Sequence, residues 1–343
     1  MSSANRNRPK RRWRRRLAAA VVLVAALIAA GWWTMIRMPG ESYRGPLPPA
    51  DEALDALAAE LRRDVDYLAT TLGERNVSHC PQQLAQAADY LAAEFRRAGY
   101  EVDRQVYTVE GVACANLAAE IRGVSRPAEI VVVGAHYDSV VGTPGANDNA
   151  SGVAAVLALA RRLATSRPGR TLRFAAFANE EPPYFQTDQM GSRVYARRCR
   201  ERNERIVAML SLETIGCYSD EPGSQQYPPP FNLFYPSTGD FIAAVGNYRS
   251  ATLVREVVEH FRRYEPFPCE GAAIPSLVAA VGFSDHWSFW QEGYPALMVT
   301  DTAMFRYPHY HEPSDTVDKV DFDRTARVVR GLGRAVAWLA EDE

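Results

Sequence analysis
Five short clusters in this sequence carry side chains suited to metal and acid–base chemistry. Ala135-His136-Tyr137-Asp138 and Gly145-Ala146-Asn147-Asp148-Asn149 come first, followed by Asn179-Glu180-Glu181, Glu213 and Tyr310-His311. Two imidazoles with several carboxylates match the donor preference of zinc and similar borderline divalent ions. Five such ligands exceed what one four-coordinate catalytic zinc with an open position accepts. They suit two ions roughly 3.5–4 Å apart that share a carboxylate. One acid, Glu180, is then left over to act as a base. Taken singly, each cluster has an ordinary explanation. A histidine after a strand is commonly packed and hydrogen-bonded, an acidic pair commonly faces solvent, and Asn-Asp-Asn commonly makes a turn or a helix cap. The signal lies in their order and in where they fall between elements.

Those elements alternate. Apolar spacing predicts helices over 52–72, 82–98, 151–163, 191–203, 252–263 and 322–339, with Gly99 closing the second. It predicts strands over 101–109, 116–122, 129–134, 172–178, 206–212 and 296–300. The run 129–134, after its first residue Glu129, is continuously apolar with three valines, as a strand buried on both faces must be, whereas 101–109 alternates. The order implies one α/β body with a mixed, mostly parallel central sheet and helices on both faces. In such sheets ligands bind beyond the C-terminal strand ends. His136, Glu180 with Glu181, Glu213 and His311 each follow a predicted strand, so four strand ends converge on one edge. The stretch 216–230, rich in Pro, Ser, Gly and Tyr, reads as a long loop beside that edge.

Apolar residues make up 47% and charged residues 23%, which excludes a disordered or collagen-like chain. The net charge of −2 suggests no nucleic-acid partner. It conceals eight basic residues and no acid within residues 1–16, which leave 31 basic against 41 acidic residues in the remainder. Residues 17–36 then run without a charge, long enough as a helix to cross a bilayer core of about 30 Å. Trp32 and Trp33 fit an interfacial belt, and the basic flank predicts a cytoplasmic arm with an exported body. The reading is a basic arm over 1–16, a transmembrane signal anchor over 17–36, a stiff Pro/Gly spacer over 37–50 and a catalytic domain over 51–343. A cleaved signal peptide, with a weak site at Ala29-Ala30, is the alternative, and it would make the protein secreted. The five cysteines form no zinc-ribbon spacing, and an odd number leaves at least one without an intramolecular partner.

The ordered blocks AHYDS (135–139), GANDNASG (145–152), NEE (179–181), LSLETIG (210–216) and YHEPSDT (310–316) resemble the co-catalytic zinc exopeptidases of the bacterial aminopeptidase and glutamate carboxypeptidase type. The resemblance spans roughly residues 60–340. It implies two Zn2+ ions, with Co2+ or Mn2+ as chemical substitutes, and a peptide substrate. It places His136 and Glu213 on one metal and Glu181 and His311 on the other, with Asp148 bridging. Glu180 resembles the general base, Asp138 the carboxylate that fixes the His136 tautomer, and Tyr310 a phenol that steadies the oxyanion. Asn147 and Asn149 shape the turn presenting Asp148, and Asp315 is positioned to orient His311. His311 is preferred to His309 because Pro313-Ser314-Asp315-Thr316 completes its block. Glu213 departs from the pattern, since many members carry Asp there, which puts substrate preference in doubt. His286, in Phe283-Ser284-Asp285-His286-Trp287, is assigned to a pocket lining or to a helix start and not to metal; His79 and His260 read as surface residues.

Rival chemistries lack their signatures. No GxSxG, HExxH, strand-following GxGxxG or GxxxxGK[ST] occurs. The main expectation is an aminopeptidase acting at peptide N-termini. A glutaminyl cyclase or other amidohydrolase on the same architecture, and a non-catalytic binding ectodomain, are the alternatives. The oligomeric state is open.

Overall fold
The computed structural model describes residues 8–341. Part of the basic arm, Arg6 included, lies outside the described residues. Helix α1 (Arg8–Gly31) continues through a wider turn at Trp32–Ile36. Trp13–Ile36 is the one helical stretch among the described residues long and apolar enough to cross a membrane, and none of it is buried against the protein.

The segment after that helix does not hang free. Met38 is buried, Arg255 donates to the Trp33 and Thr34 carbonyls, and Arg262 donates to those of Pro39 and Gly40. Helices α2 (Glu52–Asp66) and α3 (Pro81–Arg97) follow. The Asp51 carboxylate caps α2 by accepting from Leu54 N at 2.8 Å, and Leu54, Leu57, Leu61 and Val65 make its buried stripe.

Eight strands form one sheet: β1 (Val102–Val109), β2 (Val112–Ile121), β3 (Arg126–His136), β4 (Arg170–Phe177), β5 (Arg205–Glu213), β6 (Ile242–Gly246), β7 (Cys269–Ala273) and β8 (Ala296–Thr300). Their order is β1-β2-β4-β3-β5-β8-β6-β7. Strands β4, β3, β5 and β8 are mutually parallel, whereas β6 runs antiparallel to β8 and carries β7 with it. On β3, Val131, Val133 and Ala135 face one core while Ile130 and Val132 face the other. That explains why residues 130–135 carry no polar side chain. Helices α2, α3, α4 (Gly152–Leu163), α6 (Ala251–Tyr264) and α8 (Phe322–Ala340) cover the first face; α5 (Gly191–Glu201) and α7 (His286–Gln291) cover part of the second.

Two strands, β6 and β7, fall outside the sequence-based set. Their sequences, IAAVG and CEGAA, are six-tenths alanine and glycine, and neighbouring strands rather than local propensity make them strands. His260 is buried rather than on the surface: its ring stacks on Trp338 at 3.8 Å. All five cysteines are free. The direction of β6 also fixes where α1 attaches. Helix α6 begins after the C-terminal end of β6, the end of the sheet opposite the C-termini of β3, β5 and β8. Arg255, in the first half of α6, grips the end of the apolar helix there.

Candidate metal centre
The parallel strands deliver their last residues to one edge. His136 ends β3 and Glu213 ends β5, while Glu180 and Glu181 follow β4 by three and four residues. Asp148 comes from a short turn, Ala146–Ser151, between β3 and α4, and His311 from the loop after β8. Two triads result. His136 Nε2 stands 3.4 Å from Asp148 Oδ1 and 3.2 Å from Glu213 Oε2. His311 Nε2 stands 3.1 Å from Asp148 Oδ2 and 3.2 Å from Glu181 Oε2. Asp148 thus offers one oxygen to each side. All five expected ligands come together, and Glu180 lies among them with Oε2 3.8 Å from His136 Nε2.

These atoms fit a metal. His136 Nδ1 and Nε2, Asp148 Oδ2, Glu181 Oε1 and His311 Nε2 are buried polar atoms that make no hydrogen bond. Such atoms are costly unless something satisfies them. Nitrogen and oxygen ligands about 2.0–2.1 Å from a tetrahedral zinc stand roughly 3.3 Å apart, close to the separations of 3.1–3.4 Å found here. The electrostatics agree. Burial and the neighbouring Asp148 raise the Glu181 pKa to about 8, against the opposing pull of His311. Burial, with Glu181 and Glu213 nearby, raises that of Glu180 well above the carboxylate range. Burial opposes charge on His136, yet Glu213 and Glu180 drive its pKa well upward. Crowded carboxylates of this kind call for cations.

A hydrogen-bonded frame holds the donors. Asp138 accepts the backbone N–H groups of Glu180 and Glu181, both at 3.1 Å, and its Oδ1 stands 3.5 Å from His136 Nδ1. Asp315 does not reach for His311. Its carboxylate accepts from the N–H groups of Asn147 (2.8 Å) and Asp148 (3.0 Å) and from the Tyr307 hydroxyl (2.6 Å). Asn147 ties the turn to Gly216 N and Asp301, and Asn149 ties it to Leu212 O and Thr214 N. The turn lies so close to β5 that a Cβ on Gly152 would stand 2.5 Å from Leu212 O. Ser284 donates to Glu213 Oε2 at 2.7 Å.

Arg75 is the largest element of the frame that sequence reading missed. It is fully buried, and its guanidinium donates to Tyr137 O (2.6 Å), Pro144 O (2.5 Å) and Gly145 O (2.9 Å), with longer bonds to Gly73 and Leu68. It therefore clamps both ends of the loop joining His136 to Asp148. Nothing in its local sequence, Gly73-Glu74-Arg75-Asn76, marks it as buried.

Tyr310 stacks on His311 with ring centroids 3.9 Å apart. It also lines an apolar cavity, open to solvent, that begins at Glu213 and is walled by Phe231, Phe241, Val281 and Met298. His286 does not line this cavity: it is buried, bonds to Val281 O at 2.7 Å and packs against Trp290. His309 bonds to Ser314 on the exposed side, and the His79 side chain is exposed.

Comparison with known proteins gives the family and the fold. The profile of Peptidase family M28 matches residues 116–336. An uncharacterized Escherichia coli protein, YfbL, is 37% identical over 282 residues, covering 80% of this chain and 85% of that one. A probable zinc metalloprotease of Leptosphaeria maculans is 27% identical, covering 85% and 77%. Among solved structures, a zinc aminopeptidase from Bacillus subtilis shares the fold at TM-score 0.67 and 14% identity, covering 83% of this chain and 95% of that one.

Proposed function
This chain belongs to peptidase family M28 and is a zinc metallopeptidase, and from that premise we propose that it is an aminopeptidase removing N-terminal residues through a two-zinc centre. The observation that carries the reading is the pair of histidine–carboxylate triads sharing Asp148, with Glu180 between them. His136 and Glu213 would hold one ion, Glu181 and His311 the other, with Asp148 on both. When bound, zinc supplies Lewis-acid polarisation of the peptide carbonyl and lowers the pKa of the attacking water.

The chain's own residues do the rest. Glu180, buried and with its pKa raised, takes the proton of the attacking water and delivers it to the leaving amine. Asp138 orients His136 and fixes the Glu180-Glu181 backbone. The Tyr310 phenol donates to the developing oxyanion. The acidic side chains around Glu181 receive the free α-amine, which restricts cleavage to the first residue. The apolar cavity beside Glu213 and Tyr310 takes that residue's side chain and favours large aliphatic and aromatic ones. The apolar helix anchors the protein in a membrane, basic arm inside and catalytic domain outside the cytoplasm.

Metal quantification with a panel of aminoacyl and N-blocked peptides tests this. Two zinc equivalents and hydrolysis of free-amine substrates only are expected. Cleavage of N-blocked peptides, or cyclisation of N-terminal glutamine without peptide hydrolysis, would overturn it.

A further inference from the structure
We propose that the juxtamembrane segment 38–42 is a working support of the substrate pocket's far wall, holding edge strand β7 and its Glu270 where a large apolar side chain needs them. This rests on the aminopeptidase reading of the pocket. The pocket follows one register row. Glu213 on β5 pairs with Thr300 on β8, Thr300 with Ala243 on β6, and Ala243 with Glu270 on β7. In-register residues share a face, and three strand spacings amount to about 14 Å. The cavity therefore runs sideways along the sheet, from a candidate metal ligand to Glu270 at the edge.

That far end belongs to a five-residue strand with no neighbour beyond it in the sheet. Edge strands present unpaired backbone groups and need cover. The juxtamembrane segment supplies it. Ser42 Oγ accepts the Cys269 N–H at 3.0 Å. Arg262 donates to Cys269 O at 2.9 and 2.6 Å, to Pro39 O at 3.0 Å and to Gly40 O at 3.1 Å, and faces Glu270 Oε2 at 3.2 Å. Met38 packs on the opposite face of β7, so near that a Cβ on Gly271 would stand 2.8 Å from its Cγ.

Glu270 lines both the apolar pocket and the hollow formed by Glu41, Ser42, Tyr43, Arg44 and Arg262. One residue therefore separates substrate space from the juxtamembrane segment. An unpaired carboxylate at the end of an apolar pocket would repel an apolar side chain by its desolvation cost. Arg262 offsets that charge, and the segment holds Arg262. A passive tether would need none of these bonds.

The test uses the full-length chain in detergent micelles, comparing wild type with Ser42→Ala, Met38→Ala and the double variant on phenylalanyl and alanyl arylamides. The ratio of kcat/KM for phenylalanyl over alanyl substrate does not depend on the fraction of folded enzyme. It should fall about tenfold in the double variant, chiefly through KM, and less in each single variant. A ratio within about twofold of wild type in all three would overturn the proposal. Calorimetric titration with phenylalaninol gives a readout without turnover: weaker binding in the variants supports the wall, and unchanged binding refutes it. If zinc-loaded wild type cleaves neither arylamide, the aminopeptidase reading fails, and the titration still decides the wall.

Discussion
Replacing Arg75 by Met asks what the buried frame is worth. The three shortest bonds of its guanidinium, 2.5–2.9 Å to Pro144, Tyr137 and Gly145, are lost together. At about 1.5–3 kcal/mol for a bond from a charged donor, they represent roughly 4–9 kcal/mol. Against this, burial pulls the Arg75 pKa well down, to about 10, despite the nearby Asp138 and Asp315. Keeping the charge buried therefore costs about 3 kcal/mol, which Met avoids. The net loss centres on about 3 kcal/mol, near the roughly 3–5 kcal/mol expected when a buried charge network is broken. With a urea dependence of about 3 kcal/mol per molar, the unfolding midpoint should fall by about 1 M. Because Arg75 clamps the loop between His136 and Asp148, zinc affinity measured against a competing chelator should fall as well. Arg75→Lys, which keeps the charge but not the fork, should sit between the two. An unchanged midpoint together with unchanged zinc affinity in Arg75→Met would refute this account of the loop.

Three further outcomes are expected. Glu180→Gln should keep two zinc equivalents by elemental analysis yet lose roughly 10²–10⁴ in kcat, as removal of a general base does; near wild-type turnover would remove Glu180 from that role. A strong zinc chelator should abolish hydrolysis and added zinc should restore it; full activity of the metal-free protein would end the metallopeptidase reading. Burial lowers the His286 pKa to about 4, only partly offset by its bond to Val281. Its neutral form therefore stabilises the fold fully above pH of about 6.5, and this contribution is lost as pH falls toward 4, about 3 kcal/mol in all. Urea unfolding of His286→Gln should show a shallower acid loss than wild type, and parallel pH profiles would contradict it.

The candidate metal centre was legible because its donors either end a parallel strand, as His136 and Glu213 do, or lie in the segment that follows one. Strand-end position follows from apolar runs such as 130–134, which local composition reveals. The frame was less legible. Asp315 was read as a partner of His311, whereas it binds the Asn147-Asp148 backbone, a contact set by the path of the loop after β8. Arg75 and Ser284 act on atoms 62 to 71 positions away, and no local pattern encodes such contacts. Strands β6 and β7 were missed because alanine and glycine dominate them, and the pocket wall they form was missed with them. His260 looked like a surface residue because its partner Trp338 lies on the last helix.

The reversed direction of β6 and β7 has a consequence for where this enzyme can work. The apolar helix grips the body through Arg255 at one end of the sheet, and the metal donors sit at the other. The segment climbing from Met38 to Ser42 runs along β7, a five-residue strand about 16 Å long. Were the helix to lie in a bilayer, the candidate donors would stand at the end of the sheet away from it. On the proposed aminopeptidase reading, that placement would favour chain ends arriving from the aqueous side over those held at the lipid surface.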